Sequence, residues 1–202
     1  MKIGLYFGSF NPIHSGHMMV ASYCLNELNL DELRFVLSPQ NPFKKNLLDF
    51  SKRMMMLNIA IEDNPKMKIS DIEYHLPQPS YTINTLDEIN KTMKEDDEIF
   101  IIMGLDCWTS IKKWKDYQRI ISENNIIVYP RIDSVDCNTE FKKTLNTLEN
   151  VKNVMFMENA PLCSLSSTFI RNEIKKGHGV RHYLPNNKLE EFITQENIYY
   201  YD

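Results

Sequence analysis

The sequence lacks the features that mark several classes of protein. Its four cysteines are widely spaced and form no C-x-x-C pair, which argues against a zinc ribbon or a thioredoxin-type site and favours reduced thiols. No apolar run approaches the roughly 20 residues of a membrane span, and the first residues do not have the pattern of a signal peptide. We therefore expect a cytoplasmic protein that does not bind a membrane.

An excess of basic residues is also missing. The formal charge is −4, which argues against a general nucleic-acid-binding protein but still allows a local group of donors to bind phosphate. The 202 residues contain 43% hydrophobic and 25% charged residues, as is ordinary for a globular protein. We expect one domain over residues 1–202, with a small helical part from about residue 166.

The stretch from Gly8 to His17 is neither a Walker A sequence nor the dinucleotide-binding fingerprint, but it lies where phosphate is often bound. It follows a strand-like run at residues 2–7 and precedes a helical pattern. The first amides of a helix have no intrahelical acceptor and carry a partial positive charge. The glycines Gly8 and Gly16 let the backbone approach a ligand closely. The pattern therefore predicts an anion site.

Two histidines, His14 and His17, lie three residues apart at the start of this helical pattern. On one face of the first turn, both imidazoles could meet the same phosphate. The pair alone leaves two alternatives open, a helix start with polar ends and a pair of metal ligands.

Apolar runs alternate with helical patterns along the rest of the chain. Ser51 is a plausible N-cap for a second helix, and a further helix is expected over residues 139–148. This alternation predicts an α/β doubly wound parallel sheet, with the site at the carboxyl ends of the strands. The predicted strands are residues 2–7, 33–37, 98–103, 126–129 and 154–157, with a weaker candidate at 67–70.

Three later segments contain residues with suitable chemistry. Gly104 and Asp106 follow a predicted strand, where a carboxylate can accept hydrogen bonds from ribose. The hydroxyl residues at 166–168, which precede Arg171, form a helix start, and an arginine fork suits phosphate. Residues 79–86 form a second hydroxyl-rich helix start. Taken alone, each of these helix starts is also an ordinary structural cap.

The stretch G-S-F-N-P-I-H-S-G-H resembles the signature of the nucleotidyltransferase superfamily with an H-x-G-H motif. The stretch L-S-S-T-F-I-R at residues 165–171 matches a second signature, about 150 residues away, with leucine for the first isoleucine. Together with the S-Y-T-I-N-T-L segment, they resemble bacterial nicotinate-nucleotide adenylyltransferases from Gly4 to about Tyr199. The chain departs from these relatives at Phe7, Asn11 and Phe43, where they often have Gly, Asp and His.

The resemblance implies roles for individual residues. Catalytic contacts to the phosphates are implied for His14, His17, Lys44 and Arg171. ATP binding is implied for Gly8, Ser9, Phe10, Gly16, Gly104, Asp106, Arg131, Ser166, Ser167 and Thr168. Binding of the nicotinate nucleotide is implied for Thr82, Thr85, Trp114 and Lys115.

The resemblance also implies a reaction, the transfer of an adenylyl group from ATP to nicotinate mononucleotide. It implies Mg²⁺ that enters with ATP, no metal held by protein side chains, small-molecule substrates, and a monomer or homodimer. Two alternatives remain open. One is an adenylyltransferase acting on phosphopantetheine or nicotinamide mononucleotide, and the other is a non-catalytic adenine-nucleotide sensor.

Overall fold

A parallel sheet forms the centre of the molecule. The computed structural model describes residues 1–42, 46–130 and 136–200. Within these ranges, six parallel strands pair in the order β3-β2-β1-β4-β5-β6, and the order reverses between β1 and β4. This confirms the predicted doubly wound sheet. The strands are β1 (Lys2–Gly8), β2 (Glu32–Leu37), β3 (Met67–Ser70), β4 (Glu98–Gly104), β5 (Asn125–Tyr129) and β6 (Asn153–Phe156).

Helices cover both faces of this sheet. Three short 3₁₀ turns, Ile72–His75, Ile111–Lys113 and Arg181–Tyr183, complete the regular structure of the described ranges. In these ranges no helix combines the length and the apolar composition needed to cross a bilayer. The α-helices are α1 (Ser15–Glu27), α2 (Phe50–Ile61), α3 (Thr82–Asn90), α4 (Leu105–Thr109), α5 (Tyr117–Glu123), α6 (Cys137–Leu145), α7 (Ser167–Lys175) and α8 (Asn187–Gln195).

Two helices begin earlier than the sequence pattern predicts. The N-cap of α2 is Asp49 rather than Ser51, because the Asp49 carboxylate accepts a hydrogen bond from the Ser51 backbone N–H at 2.8 Å. Asp136 caps α6 in the same way, accepting from the Thr139 N–H at 3.0 Å, so α6 spans Cys137–Leu145 instead of residues 139–148. In both helices an aspartate outside the apolar pattern fixes the start.

Two apolar layers hold the sheet between the helices. Successive side chains of a strand point to opposite faces, so Val36 joins one layer while Phe35 and Leu37 join the other. The layer of Phe35 contains side chains of α1, α2, α7 and α8, and the layer of Val36 contains side chains of α3, α4, α5 and α6. The starts of α1 and α7 therefore lie on the same face of the sheet.

Candidate active site

A cleft of about 550 Å³ opens at the carboxyl ends of β1 and β4. In doubly wound sheets, ligands bind at this edge, where the strand order reverses. The cleft brings together the predicted residues of the first loop, the β4 end and the α7 start. The predicted site residues that line it are Gly8, Ser9, Phe10, His14, Gly16, His17, Gly104, Asp106, Trp114, Ser166, Ser167, Thr168 and Arg171.

The histidine pair lies at the start of α1 on one wall of the cleft. His14 is the N-cap, and its imidazole centroid lies 3.7 Å from that of His17. The backbone N–H of His14 donates a hydrogen bond to Nδ1 of His17 at 3.3 Å. A neutral His17 ring with Nδ1 as acceptor holds its proton on Nε2, which can then donate to a bound anion. The first turn of α1 contains no acidic side chain to oppose that anion.

Glycines make room for the rings of this wall. A β-carbon at Gly16 would lie 3.0 Å from the imidazole of His14, so the glycine between the histidines allows that ring to lie over the helix start. A β-carbon at Gly8 would lie 2.6 Å from the ring of Phe10. Phe10 has a φ of 43° and is buried, and its ring meets the His17 imidazole edge-on with centroids 5.1 Å apart. The glycines therefore position the histidines as well as the backbone.

The start of α7 forms hydrogen bonds with the loop that precedes α1. We call this loop, residues 8–14, the motif loop. Ser167 Oγ donates to the Pro12 carbonyl at 2.8 Å, and Arg171 Nη1 donates to the Asn11 carbonyl at 2.7 Å. Arg171 Nη2 also donates to Thr168 Oγ1 at 3.2 Å. These bonds hold two helix starts against one cleft, and the first amides of a helix have no acceptor within that helix.

Asn11 and Tyr199 form a contact that the sequence reasoning missed. The Tyr199 hydroxyl donates to Asn11 Oδ1 at 2.6 Å, and the backbone N–H of Leu48 donates to the same oxygen at 3.4 Å. The side-chain amide oxygen of Asn11 thus accepts hydrogen bonds from two donors. This is the position at which the sequence departs from the Asp of the family pattern. No local pattern signals a contact across 188 positions of sequence.

The two tryptophans have different environments. Trp114 is half-buried and lines the cleft, and its stacking on a ligand ring stays a prediction. Trp108 is fully buried, stacks on Phe141 and donates from Nε1 to the Phe141 carbonyl at 3.3 Å. Asp106 lies on α4, directly after β4. It is the only carboxylate among the described residues of the cleft wall.

Three predicted nucleotide-binding residues do not line the cleft. Thr82 is half-buried in the first turn of α3, and Thr85 is only 1% exposed. Lys115 is exposed. Its Nζ lies 3.4 Å from Asn84 Oδ1 and 5.1 Å from the ring centroid of Tyr81. Their roles in binding stay predictions. Lys44 and Arg131 lie outside the described residues.

The comparisons with known proteins agree with this geometry. A family model described as "Cytidylyltransferase-like" matches residues 5–173. A relative from Flavobacterium johnsoniae, named "Probable nicotinate-nucleotide adenylyltransferase", is 42% identical over 98% of this chain and 99% of its own length. The chain belongs to the nicotinate-nucleotide adenylyltransferase family. A relative of the same name from Bacteroides fragilis is 40% identical over 96% of this chain and 92% of its own.

A solved structure extends the comparison to the fold. The Plasmodium falciparum nicotinic acid mononucleotide adenylyltransferase complexed with NaAD matches with a TM-score of 0.80, over 100% of this chain and 98% of its own. Its sequence identity is 22%, so this match establishes the fold alone. The members of this adenylyltransferase family are nucleotidyltransferases, and the fold described above matches that of this solved structure.

Glu73 is a buried acid that the sequence reasoning did not single out. It is 3% exposed, and Thr85 Oγ1 donates to its Oε1 at 3.0 Å. Burial raises the pKa of Glu73, and the hydrogen bond from the Thr85 hydroxyl opposes the rise without cancelling it. In this adenylyltransferase-family chain, Glu73 therefore joins residues 79–86, which are predicted to bind the nicotinate nucleotide, to the 3₁₀ turn at Ile72–His75.

This pKa shift predicts the pH dependence of a variant. A carboxyl with a raised folded pKa contributes stability below its ordinary value of 4.5 and loses it as pH rises through the folded pKa. Glu73→Gln keeps an acceptor for Thr85 without a charge. We expect it to have a higher Tm than the parent at pH 7, with the difference shrinking as pH falls through the raised folded pKa and being smallest below 4.5. Thermal unfolding across this range measures the effect.

The matched control for this experiment is Glu95→Gln, at an exposed position. Its Tm difference from the parent should be small and flat over the same range. A Glu73→Gln variant that is less stable than the parent at pH 7 would show that the folded protein stabilises the ionised carboxylate. This result would contradict the raised pKa of Glu73.

Proposed function

We propose that this chain transfers the adenylyl group of ATP to nicotinate mononucleotide, giving nicotinate adenine dinucleotide and pyrophosphate, a step of NAD biosynthesis. The observation that carries the proposal is the joining of two helix starts, those of α1 and α7, by the bonds from Ser167 and Arg171 to the motif loop. A cleft with two such starts and a histidine pair suits a polyphosphate. The names of the relatives support the choice of substrates.

The reaction needs little from the protein beyond binding and charge stabilisation. A phosphate oxygen of nicotinate mononucleotide attacks the α-phosphorus of ATP. The bond from that phosphorus to the bridging oxygen breaks, and the bridging oxygen leaves with pyrophosphate and the electron pair. The nucleophile is already an anion at neutral pH, so no general base is required. Catalysis then comes from positioning and from donors aimed at the developing charge.

The donors of the cleft have distinct roles in this proposal. His14 and His17 donate to the α- and β-phosphates, with Nε2 of His17 as the donor atom. Ser166, Ser167, Thr168 and Arg171 bind the β- and γ-phosphates, and we assign Lys44 and Arg131 to the same polyphosphate. The backbone of Gly8, Ser9, Phe10 and Gly16 approaches the phosphates, and Gly104 and Asp106 bind the ribose.

The pyridine ring occupies the other end of the cleft in this proposal. Trp114 stacks on the ring, and the start of α3 binds its carboxylate through Thr82, with Thr85 in support and Lys115 nearby. A helix N-terminus is a favourable place for a carboxylate. Because Thr85 donates to Glu73, its hydroxyl acts by fixing the start of α3 rather than by reaching the ligand directly.

A magnesium ion enters with ATP in this proposal. The described cleft wall offers mainly imidazole, hydroxyl and guanidinium donors, which fit phosphate oxygens, and the described residues contain no cluster of three or more metal-binding side chains. The phosphates would thus be its ligands, and Asp106 is the one carboxylate of the described cleft wall. The ion would neutralise charge on the polyphosphate.

We place the reaction in the cytoplasm, in a monomer or a homodimer.

The test is pyrophosphate release by the purified protein with ATP and Mg²⁺. Nicotinate mononucleotide, nicotinamide mononucleotide and phosphopantetheine are compared as acceptors, and the product is identified by mass. The proposal expects a strong preference for the first acceptor. Preference for another acceptor would keep the phosphate chemistry and refute the assignment of Thr82, Thr85 and Trp114 to the pyridine ring and its carboxylate. Binding of ATP without release for any acceptor would indicate a nucleotide sensor.

A further inference from the structure

Arg53 is a buried cation next to the cleft that the proposed reaction has not used. It lies in the first turns of α2, among apolar positions, and is only 1% exposed. Burial lowers the pKa of its guanidinium, but an arginine in a protein remains protonated. Among the described residues no carboxylate forms an ion pair with it, and Asp49 acts on it only at a distance.

Backbone carbonyls surround this guanidinium. Nη1 donates to the Ser9 carbonyl at 2.8 Å and to the Ser38 carbonyl at 2.7 Å. Nη2 donates to the Pro39 carbonyl at 3.0 Å, and Nε donates to the Leu48 carbonyl at 2.8 Å. The planar fork therefore bonds three separate segments, which are the motif loop, the end of β2 and the residues just before α2.

The bond to Ser9 fixes the orientation of one peptide unit in the motif loop. The peptide bond between Ser9 and Phe10 is trans, so the Phe10 N–H points opposite to the Ser9 carbonyl. Since that carbonyl points at Arg53, the Phe10 N–H points away from it. Ser9 and Phe10 both line the cleft. Arg53 thus determines which way this amide faces, from a position behind the loop.

We propose that Arg53 is a positioning residue for adenylyl transfer, which holds the Ser9–Phe10 peptide so that the Phe10 N–H donates to the polyphosphate. The proposal rests on the proposed function for its catalytic part. Its binding part requires only that the cleft accepts a polyphosphate. The buried positive charge behind the loop adds to the favourable potential at the same place.

The variant Arg53→Lys removes the planar set of guanidinium donors while keeping the positive charge. A lysine ammonium has three donors and cannot reproduce four bonds in one plane. Misplacing the amide should lower kcat by about 10- to 100-fold, since misplacement of about 1 Å costs on the order of 100-fold. The KM for the acceptor should stay within about twofold, because the pyridine end of the cleft is not touched. Arg119→Lys on α5, an exposed arginine with carboxylate partners, is the matched control and should leave kcat unchanged.

A second measurement does not need turnover, and its first part needs only the parent protein. In ¹⁵N NMR spectra of the parent protein, addition of pyrophosphate should shift the Phe10 amide resonance, and the shift should be lost in Arg53→Lys. The absence of a Phe10 shift in the parent would overturn the proposal. An Arg53→Lys variant with the parental kcat would also overturn it. The same holds if the decrease in kcat equals the decrease in the folded fraction that circular dichroism measures. Failure of the parent to form product with any acceptor would refute the proposed function, while the NMR measurement would still decide the role of Arg53.

Discussion

Replacement of His17 by alanine is expected to lower kcat by about 10²–10³, the scale of losing one donor aimed at developing charge. The imidazole is half-buried, faces His14 at 3.7 Å, and has Nε2 as its donor when the ring is neutral. The measurement is the steady-state rate of pyrophosphate release at saturating ATP and acceptor. The KM for the acceptor should change little, because this donor acts on charge that develops in the transition state.

The control for this variant is His182→Ala, an exposed histidine in a 3₁₀ turn outside the cleft. It should leave kcat unchanged. The bond from the His14 N–H to His17 Nδ1 is also lost in His17→Ala, so the Tm of the variant should be measured alongside. A His17→Ala variant that turns over at the parental rate would remove this imidazole from the mechanism.

The two tryptophans are expected to separate stability from binding. Trp108→Ala should lower the free energy of unfolding by roughly 3–5 kcal/mol, the range for a large buried aromatic. It removes a fully buried indole, its stacking on Phe141 and its bond to the Phe141 carbonyl. Trp114→Ala, in the half-buried wall of the cleft, should instead raise the KM for the acceptor by up to about tenfold.

Urea unfolding of both variants, with acceptor kinetics on each, measures this separation. Each tryptophan variant is the control for the other, since the chemical change is identical. Equal loss of stability in the two variants would contradict the difference in burial. An unchanged acceptor KM in Trp114→Ala would refute the proposed stacking on the pyridine ring.

Local patterns of the sequence, with the family resemblance that they support, were sufficient to predict the fold and 13 of the residues that line the cleft. A strand that leads through glycines into a helix uses neighbouring residues only, so the position of His14 and His17 follows from a short window. The same is true of Ser166, which accepts from the Phe169 N–H at 3.2 Å as the predicted cap of α7. The edge of the sheet at which these segments meet follows from the parallel topology.

Contacts between distant segments could not be predicted in this way. Arg53 lies in an apolar helical pattern, and only the folded chain shows that its fork meets three separate segments. The burial of Thr85 against Glu73 likewise depends on the 3₁₀ turn at Ile72–His75, which has no clear sequence signal. Residue types and spacings identify candidate donors, but the direction in which a donor points depends on tertiary packing.

The bond between Tyr199 and Asn11 has a consequence for how the protein is made. A ribosome must synthesise 188 further residues after Asn11 before its amide oxygen can meet the Tyr199 hydroxyl. All six strands of the described chain precede Tyr199, so the sheet can form on the nascent chain before this bond exists. The bond between the motif loop and Tyr199 is thus made after the sheet. Any ligand that binds only the finished site also stabilises the completed fold, which couples substrate supply to the lifetime of newly made protein.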